Sequence, residues 1–288
     1  MRFDNGRESD NVEDRRGQGG VHLGGRGRIG IGTIVLALVA MYFGVDPSVV
    51  LNTAGVGQPT AVDESRTAQP RPPVEDQLAR FASMVLADTE DTWGAIFQNG
   101  GRQYREPKLV LYTGATRSAC GVGQAEMGPF YCPADAKVYL DLAFFDELHN
   151  RFRAPGDFAQ AYVIAHEIGH HVQNLLGVSE KVQQARERLS ERQANQLSVR
   201  LELQADCLAG VWAHHADRSR KVLEAGDVDE ALGAAAAIGD DRLQKQAQGY
   251  AVPDSFTHGS AAQRVRWFRQ GLEQGSLRAC DTFSVAAP

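Results

Sequence analysis

The 288-residue sequence predicts an α+β fold: a small antiparallel sheet packed on several helices and preceded by one transmembrane helix. Three observations carry that reading. Strand-like runs are few and lie before residue 143, the pattern from residue 157 onward is helical, and "IGIGTIVLALVAMYFGV" (Ile29–Val45) holds no charge. Strands early and helices late are the order expected when helices segregate onto one sheet.

Residues 1–28 carry arginines at 2, 7, 15, 16, 26 and 28 among glycines and acids, with almost nothing apolar. Such a composition builds no core, so the region reads as a disordered tail. Ile29–Val45 follows, with no polar face, which suits a bilayer span better than a core helix. Arg15, Arg16, Arg26 and Arg28 precede it, whereas no Lys or Arg occurs from Asp46 to Ser65. The positive-inside rule then places the N-terminus in the cytoplasm and the rest in the periplasm or cell exterior, anchored to the inner membrane. A cleaved signal peptide is the alternative, disfavoured by the long N-terminal tail.

Residues 46–73 are rich in Pro, Gly, Thr and Ala and read as a linker, leaving 74–288 as the main domain. Its first helix starts at Val74 with Leu78, Phe81, Val85 and Trp93 at apolar positions and stops at "NGG". "KLVLYTG" (108–114) and "KVYLDL" (137–142) read as strands, and "AFFDELHNRF" as a short helix. Asp157 is placed to cap the next helix, which Gly177 ends. Further helices are expected over about 180–196, 198–224, 228–247 and 260–274.

The net charge of −6 argues against nucleic acid, which wants clustered Lys and Arg. The four cysteines, Cys120, Cys132, Cys207 and Cys280, suit two disulfides in an oxidising compartment, although four cysteines allow three connectivities. Gly121, Gly123, Gly128 and Pro129 between the first two suit a stapled hairpin; Cys207–Cys280 would then tie a helix to the C-terminal tail.

Within "AYVIAHEIGHHVQNLLG" (161–177), His166 and His170 stand four apart and share one helix face, so both imidazoles can reach one cation. Glu167 points to the side of that pair, where it can take a proton from a metal-bound water without ligating. A catalytic zinc needs a third ligand. The continuation His-x-x-Gly-x-x-His is absent, because Gln173 and Leu176 occupy those places. "RLELQADCLAG" offers Glu202 as that ligand, and Asp206, four residues on, as acceptor for the outer N–H of a ligating histidine. His171 lies about 100° round the helix from His170 and should not share the metal. His214 and His215 lie about 18 Å or more along the helix from Glu202 and make poor rivals. His149 and His22 look incidental.

His166-Glu167-x-x-His170 followed by Glu202-x-x-x-Asp206 resembles a gluzincin. "NVEDRRG" in the tail, the apolar segment, "HEIGHHVQ", "ELQADCLAG" and "FTHGSAAQRVRWFRQGLEQG" together resemble the bacterial neutral zinc metallopeptidase family over nearly the whole chain. The resemblance implies a zincin-like domain with one zinc per chain. "SFTHGSAAQRVRWF" is also similar to a threonine–histidine segment before the last helix of membrane-linked gluzincin peptidases. By that similarity His258 would hydrogen-bond a developing oxyanion and Arg264 would support it or pair with an acid; Gly259 departs from the proline common there.

The expected function is a membrane-anchored zinc endopeptidase acting on peptides or proteins outside the cytoplasm, with Glu167 as general base. A zinc-stabilised binding module without proteolysis and a latent peptidase needing a partner stay open. "KVYLDL" or the cysteine-closed hairpin is the expected sheet edge for an extended substrate.

Overall fold

The structure is a computed structural model that describes residues 1–3, 6–17, 73–125 and 128–288. Strand β1 (Val12–Asp14) precedes helix α1 (Pro73–Asn99), which buries Val85, Leu86, Trp93 and Phe97. Then come β2 (Lys108–Tyr112), β3 (Ala115–Ser118), β4 (Gly121–Gln124), β5 (Phe130–Cys132) and β6 (Lys137–Asp141). The remaining helices are α2 (Ala143–Asn150), α3 (Asp157–Leu175), α4 (Val178–Arg186), α5 (Glu191–Arg220), α6 (Asp227–Ala237), α7 (Asp240–Gln248) and α8 (Ala261–Gln274).

The α+β class holds, but the main sheet is mixed rather than antiparallel. Its order is β1-β2-β6-β5, with β1–β2 and β2–β6 parallel and only β5–β6 antiparallel. After β2 the chain makes the separate β3–β4 hairpin and re-enters at the far edge as β5. The short turn after Cys132 reverses it into β6, which lands between β5 and β2. Antiparallel pairing needs only such a turn, whereas parallel pairing needs a crossover. β6 is therefore interior, and "KVYLDL" is not an edge; β5, in the disulfide-closed region, is one.

The expectation that residues 1–28 are disordered is corrected for their described part, residues 1–3 and 6–17. Met1–Arg16 and Pro70–Pro288 form one compact unit. β1 pairs with β2 in the register Val12↔Leu109 to Asp14↔Leu111, and Phe3 is buried against Phe81. Charge does what apolar area does elsewhere. Arg7 bonds Glu90 and Asp91, Ser9 and Asn11 both bond Glu90, and Lys137 reaches Glu13. The expected membrane helix Ile29–Val45 and most of the expected linker lie outside the described residues. Among the described residues, no helix is long and apolar enough to cross a membrane.

Three expected helices, 180–196, 198–224 and 228–247, have different ends. The break comes at residues 187–190, where Ser190 and Gln193 form a capping box that starts α5. The expected 228–247 helix is split at Gly239, where a Cβ would lie 2.4 Å from the Ala261 amide nitrogen. Asp157 is the first residue of α3 rather than its cap; Gly156 caps it. Disulfides Cys120–Cys132 and Cys207–Cys280 both form, the second joining α5 to the turn Leu277–Cys280.

Candidate metal centre and active-site cleft

The site is made where α3 meets α5. Gly169 permits a close approach: a Cβ there would lie 2.9 Å from the Ala205 carbonyl oxygen. One helix farther out, Gly210 of α5 and Gly271 of α8 allow a similar approach. Small residues thus stack α3, α5 and α8 tightly enough for side chains flanking the contacts to meet.

The result is a convergence of His166 and His170 from α3 with Glu202 from α5. His166 Nε2 lies 3.2 Å from Glu202 Oε2, and His170 Nε2 lies 3.4 Å from Glu202 Oε1. One donor atom from each residue falls within 4.8 Å of the others, the spread three ligands around one small cation require. Both histidines have their outer nitrogen held. His166 Nδ1 meets Asp206 Oδ1 at 2.9 Å, and His170 Nδ1 meets Gln173 Oε1 at 2.9 Å. Gln173 is itself fixed by donating to the Leu201 carbonyl at 2.7 Å. Such partners choose the tautomer that leaves Nε2 free for a metal. Two imidazoles and one carboxylate, so oriented, fit zinc.

Asp206 is fully buried and serves three partners. Tyr162 Oη donates to Oδ1 at 2.6 Å, while Arg264 Nη2 and Nε donate to Oδ1 and Oδ2, each at 2.9 Å. Burial opposes the charge of Asp206, but Arg264 and His166 outweigh it and hold the carboxyl down to about 2. Arg264 therefore pairs with an acid, one of its two expected roles.

Glu167 lines the cleft beside this cluster. Burial pushes its carboxyl above the ordinary range, with the His166 and His170 imidazoles pulling the other way. The cleft encloses about 1300 Å³, and its apolar wall includes Phe130, Tyr131, Phe144, Phe152 and Val163. Edge strand β5 supplies the first two.

His258 lines the same cleft from the loop before α8, with its side chain half exposed. Asp240 holds that loop: its Oδ2 accepts the backbone N–H groups of Thr257, His258 and Gly259 at 2.7, 2.7 and 3.0 Å. Its Oδ1 lies 3.3 Å from His258 Nδ1. Gly259 has φ +89°, a value proline cannot adopt, so the departure from proline marks a different backbone path.

The other histidines stand apart. His171 is buried, with Nε2 2.6 Å from the Arg105 carbonyl and Nδ1 3.0 Å from Tyr131 Oη. It ties α3 to β5, and burial depresses its imidazole to about 4. His214 and His215 bond the carbonyls of Leu272 and Gly275 at the end of α8. His149 is exposed, and His22 lies outside the described residues. Tyr162 and Gln173 escaped the sequence reading, although they stand four before His166 and three after His170.

A sequence profile described as "Putative neutral zinc metallopeptidase" matches residues 1–283. The chain is 52% identical over 290 residues to the protein named "Uncharacterized protein YpfJ" of Escherichia coli strain K12, covering 98% of this chain and 99% of that protein. It is 40% identical over 263 residues to "Uncharacterized protein Rv2575" of Mycobacterium tuberculosis strain H37Rv, covering 86% of each. No solved structure matches it significantly. With its profile match spanning almost every residue and its two imidazoles and carboxylate gathered in one cleft, the chain belongs to the neutral zinc metallopeptidase family.

Proposed function

We propose that the protein is a zinc-dependent endopeptidase working in an oxidising, extracytoplasmic compartment. The observation that carries this reading is the convergence of His166, His170 and Glu202 with Glu167 beside them at the wall of a cleft. His166, His170 and Glu202 would hold the zinc, which when bound supplies a Lewis acid for the scissile carbonyl and makes water more acidic. Glu167 takes the proton of the attacking water and returns it to the leaving amine; burial, by raising its basicity, suits that exchange. Asp206 and Gln173 keep the two imidazoles turned. His258, held by Asp240 at the cleft margin, donates toward the oxygen that gains charge.

The open edge of β5 supports an extended peptide as substrate, laid along Phe130–Cys132 as an added strand. The two disulfides support the compartment. A general base is superfluous in a purely structural zinc site, which favours the enzyme over the binding module.

The test is incubation of the oxidised, zinc-loaded full chain with a diverse peptide pool, with new termini read by mass spectrometry beside a Glu167→Gln copy. Cleavage by the parent, abolished by chelator and reduced about 10²- to 10⁴-fold in the copy, is expected. Equal zinc in both proteins and cleavage by neither would sink the enzyme reading.

A further inference from the structure

Away from the cleft, a second cluster of acids gathers where α3 begins and α6 starts. Asp157, Asp227 and Glu230 bring carboxylate oxygens within 4.8 Å of one another, and Glu224 lies beside them. Acids so crowded repel unless a cation stands among them. Here the cation is the α-ammonium of the chain itself. Met1 N donates to Asp157 Oδ1 and Oδ2 at 2.9 and 2.7 Å, and lies 3.3 Å from Asp227 Oδ2 and 3.4 Å from Glu224 Oε2.

The residues that follow are fitted as well. Arg2 donates its backbone N–H to the Val222 carbonyl at 2.9 Å and its Nε to Glu224 Oε1 at 3.1 Å. The Met1 side chain packs on the main core and Phe3 is buried in it. Glu230, the fourth acid, accepts the Phe158 backbone N–H at 3.1 Å, which also places it at the first turn of α3. Asp157 stands nine residues before His166 on the same helix, so the bound terminus braces the start of the helix that carries the zinc ligands.

We propose that Asp157, Glu224 and Asp227 form a binding site for the chain's own α-amino group, which docks Met1–Arg16 only when Met1 is neither acylated nor extended. An amide nitrogen in place of the ammonium has one N–H instead of three and no charge. It satisfies neither the two oxygens of Asp157 nor the repulsion among the acids. Burial works against the Met1 charge, yet Asp157 and Asp227 raise the group above its ordinary value. The site is separate from the peptidase reading and stands whether or not that reading holds.

The experiment uses the full chain with a tag at the C-terminus only, and a copy carrying Gly-Ser ahead of Met1. Reductive methylation at neutral pH, read by mass spectrometry, reports the reactivity of the Met1 α-amine. Hydrogen exchange of Val12–Asp14 and Leu109–Leu111 reports docking of β1, and exchange of α5 and α8 reports that the domain is folded. The parent amine should react about tenfold or more slowly than in denaturant, in keeping with a local opening step. Asp227→Asn should bring it toward the unfolded rate. The extended copy should lose protection at β1 and its β2 partners while α5 and α8 stay protected. A native amine as reactive as the unfolded one would overturn the proposal. So would an extended copy that keeps β1 protected, or calcium ions that free the amine by taking the acids for themselves.

Discussion

Gly169 of α3 and Ala205 of α5 meet backbone to backbone, with room for a hydrogen but not a methyl group on the glycine. The contact lies between His166 and His170 on one helix and between Glu202 and Asp206 on the other. The separation of the helices at this point therefore sets the size of the candidate metal site.

Gly169→Ala should push α3 and α5 apart, because the obstructing atoms are backbone and cannot swing aside. Overpacking of this kind costs about 1–3 kcal/mol. Zinc affinity should fall together with stability, unlike an exposed helical Gly→Ala change, which stabilises. Thermal unfolding with and without zinc, beside a competitive zinc titration, checks both.

Asp206→Asn should weaken zinc binding about 10- to 100-fold by releasing the His166 imidazole. It should also destabilise the apo protein by about 3–5 kcal/mol, because Arg264 is left buried without its counter-charge. Denaturant unfolding of the metal-free protein separates the second effect from the first.

His171 should stay neutral in the fold well below the pH at which a free imidazole charges. Its folded pKa of about 4 lies below the ordinary 6.5, so the unfolded chain binds the extra proton first. Stability from this residue is complete above 6.5 and is lost as pH falls from there toward 4, by about 3 kcal/mol in all. Nitrogen NMR of the imidazole at pH 5.5 should show a neutral ring protonated on Nε2, the nitrogen facing the Arg105 carbonyl. A charged ring at that pH would refute the arrangement.

The two disulfides should contribute unequally. Cys207–Cys280 closes a segment with a sequence separation of 73, against 12 for Cys120–Cys132. Loop-closure entropy then predicts about 4 kcal/mol for the first and about 3 kcal/mol for the second. Replacing each pair by alanine and comparing unfolding free energies tests the order.

Much of the site was legible because its parts repeat at helical spacing. His166 and His170, like Glu202 and Asp206, stand four apart, and each pair announces a shared face. Tyr162 and Gln173 obey the same arithmetic but belong to residue types with no strong chemical signature. The grip of Arg264 on Asp206 spans 58 residues and cannot be read from either neighbourhood. The parallel strands were hidden for the same reason, since pairing of β1 and β2 joins segments about a hundred residues apart. Residues 1–16 looked unstructured by composition because they dock through ion pairs and backbone pairing rather than apolar area. Helix breaks at Ser190 and Gly239 were written in a capping box and a glycine that the apolar rhythm on either side obscured.

With its first residue held by Asp157 and its twelfth to fourteenth residues paired with β2, the polypeptide closes on itself through residues 17–69. A closed loop cannot pass through a sheet of lipid an odd number of times. While Met1 is docked, then, the first residue and the cleft belong to one compact unit, and any arrangement with the two on opposite faces of a bilayer would require the terminus to let go.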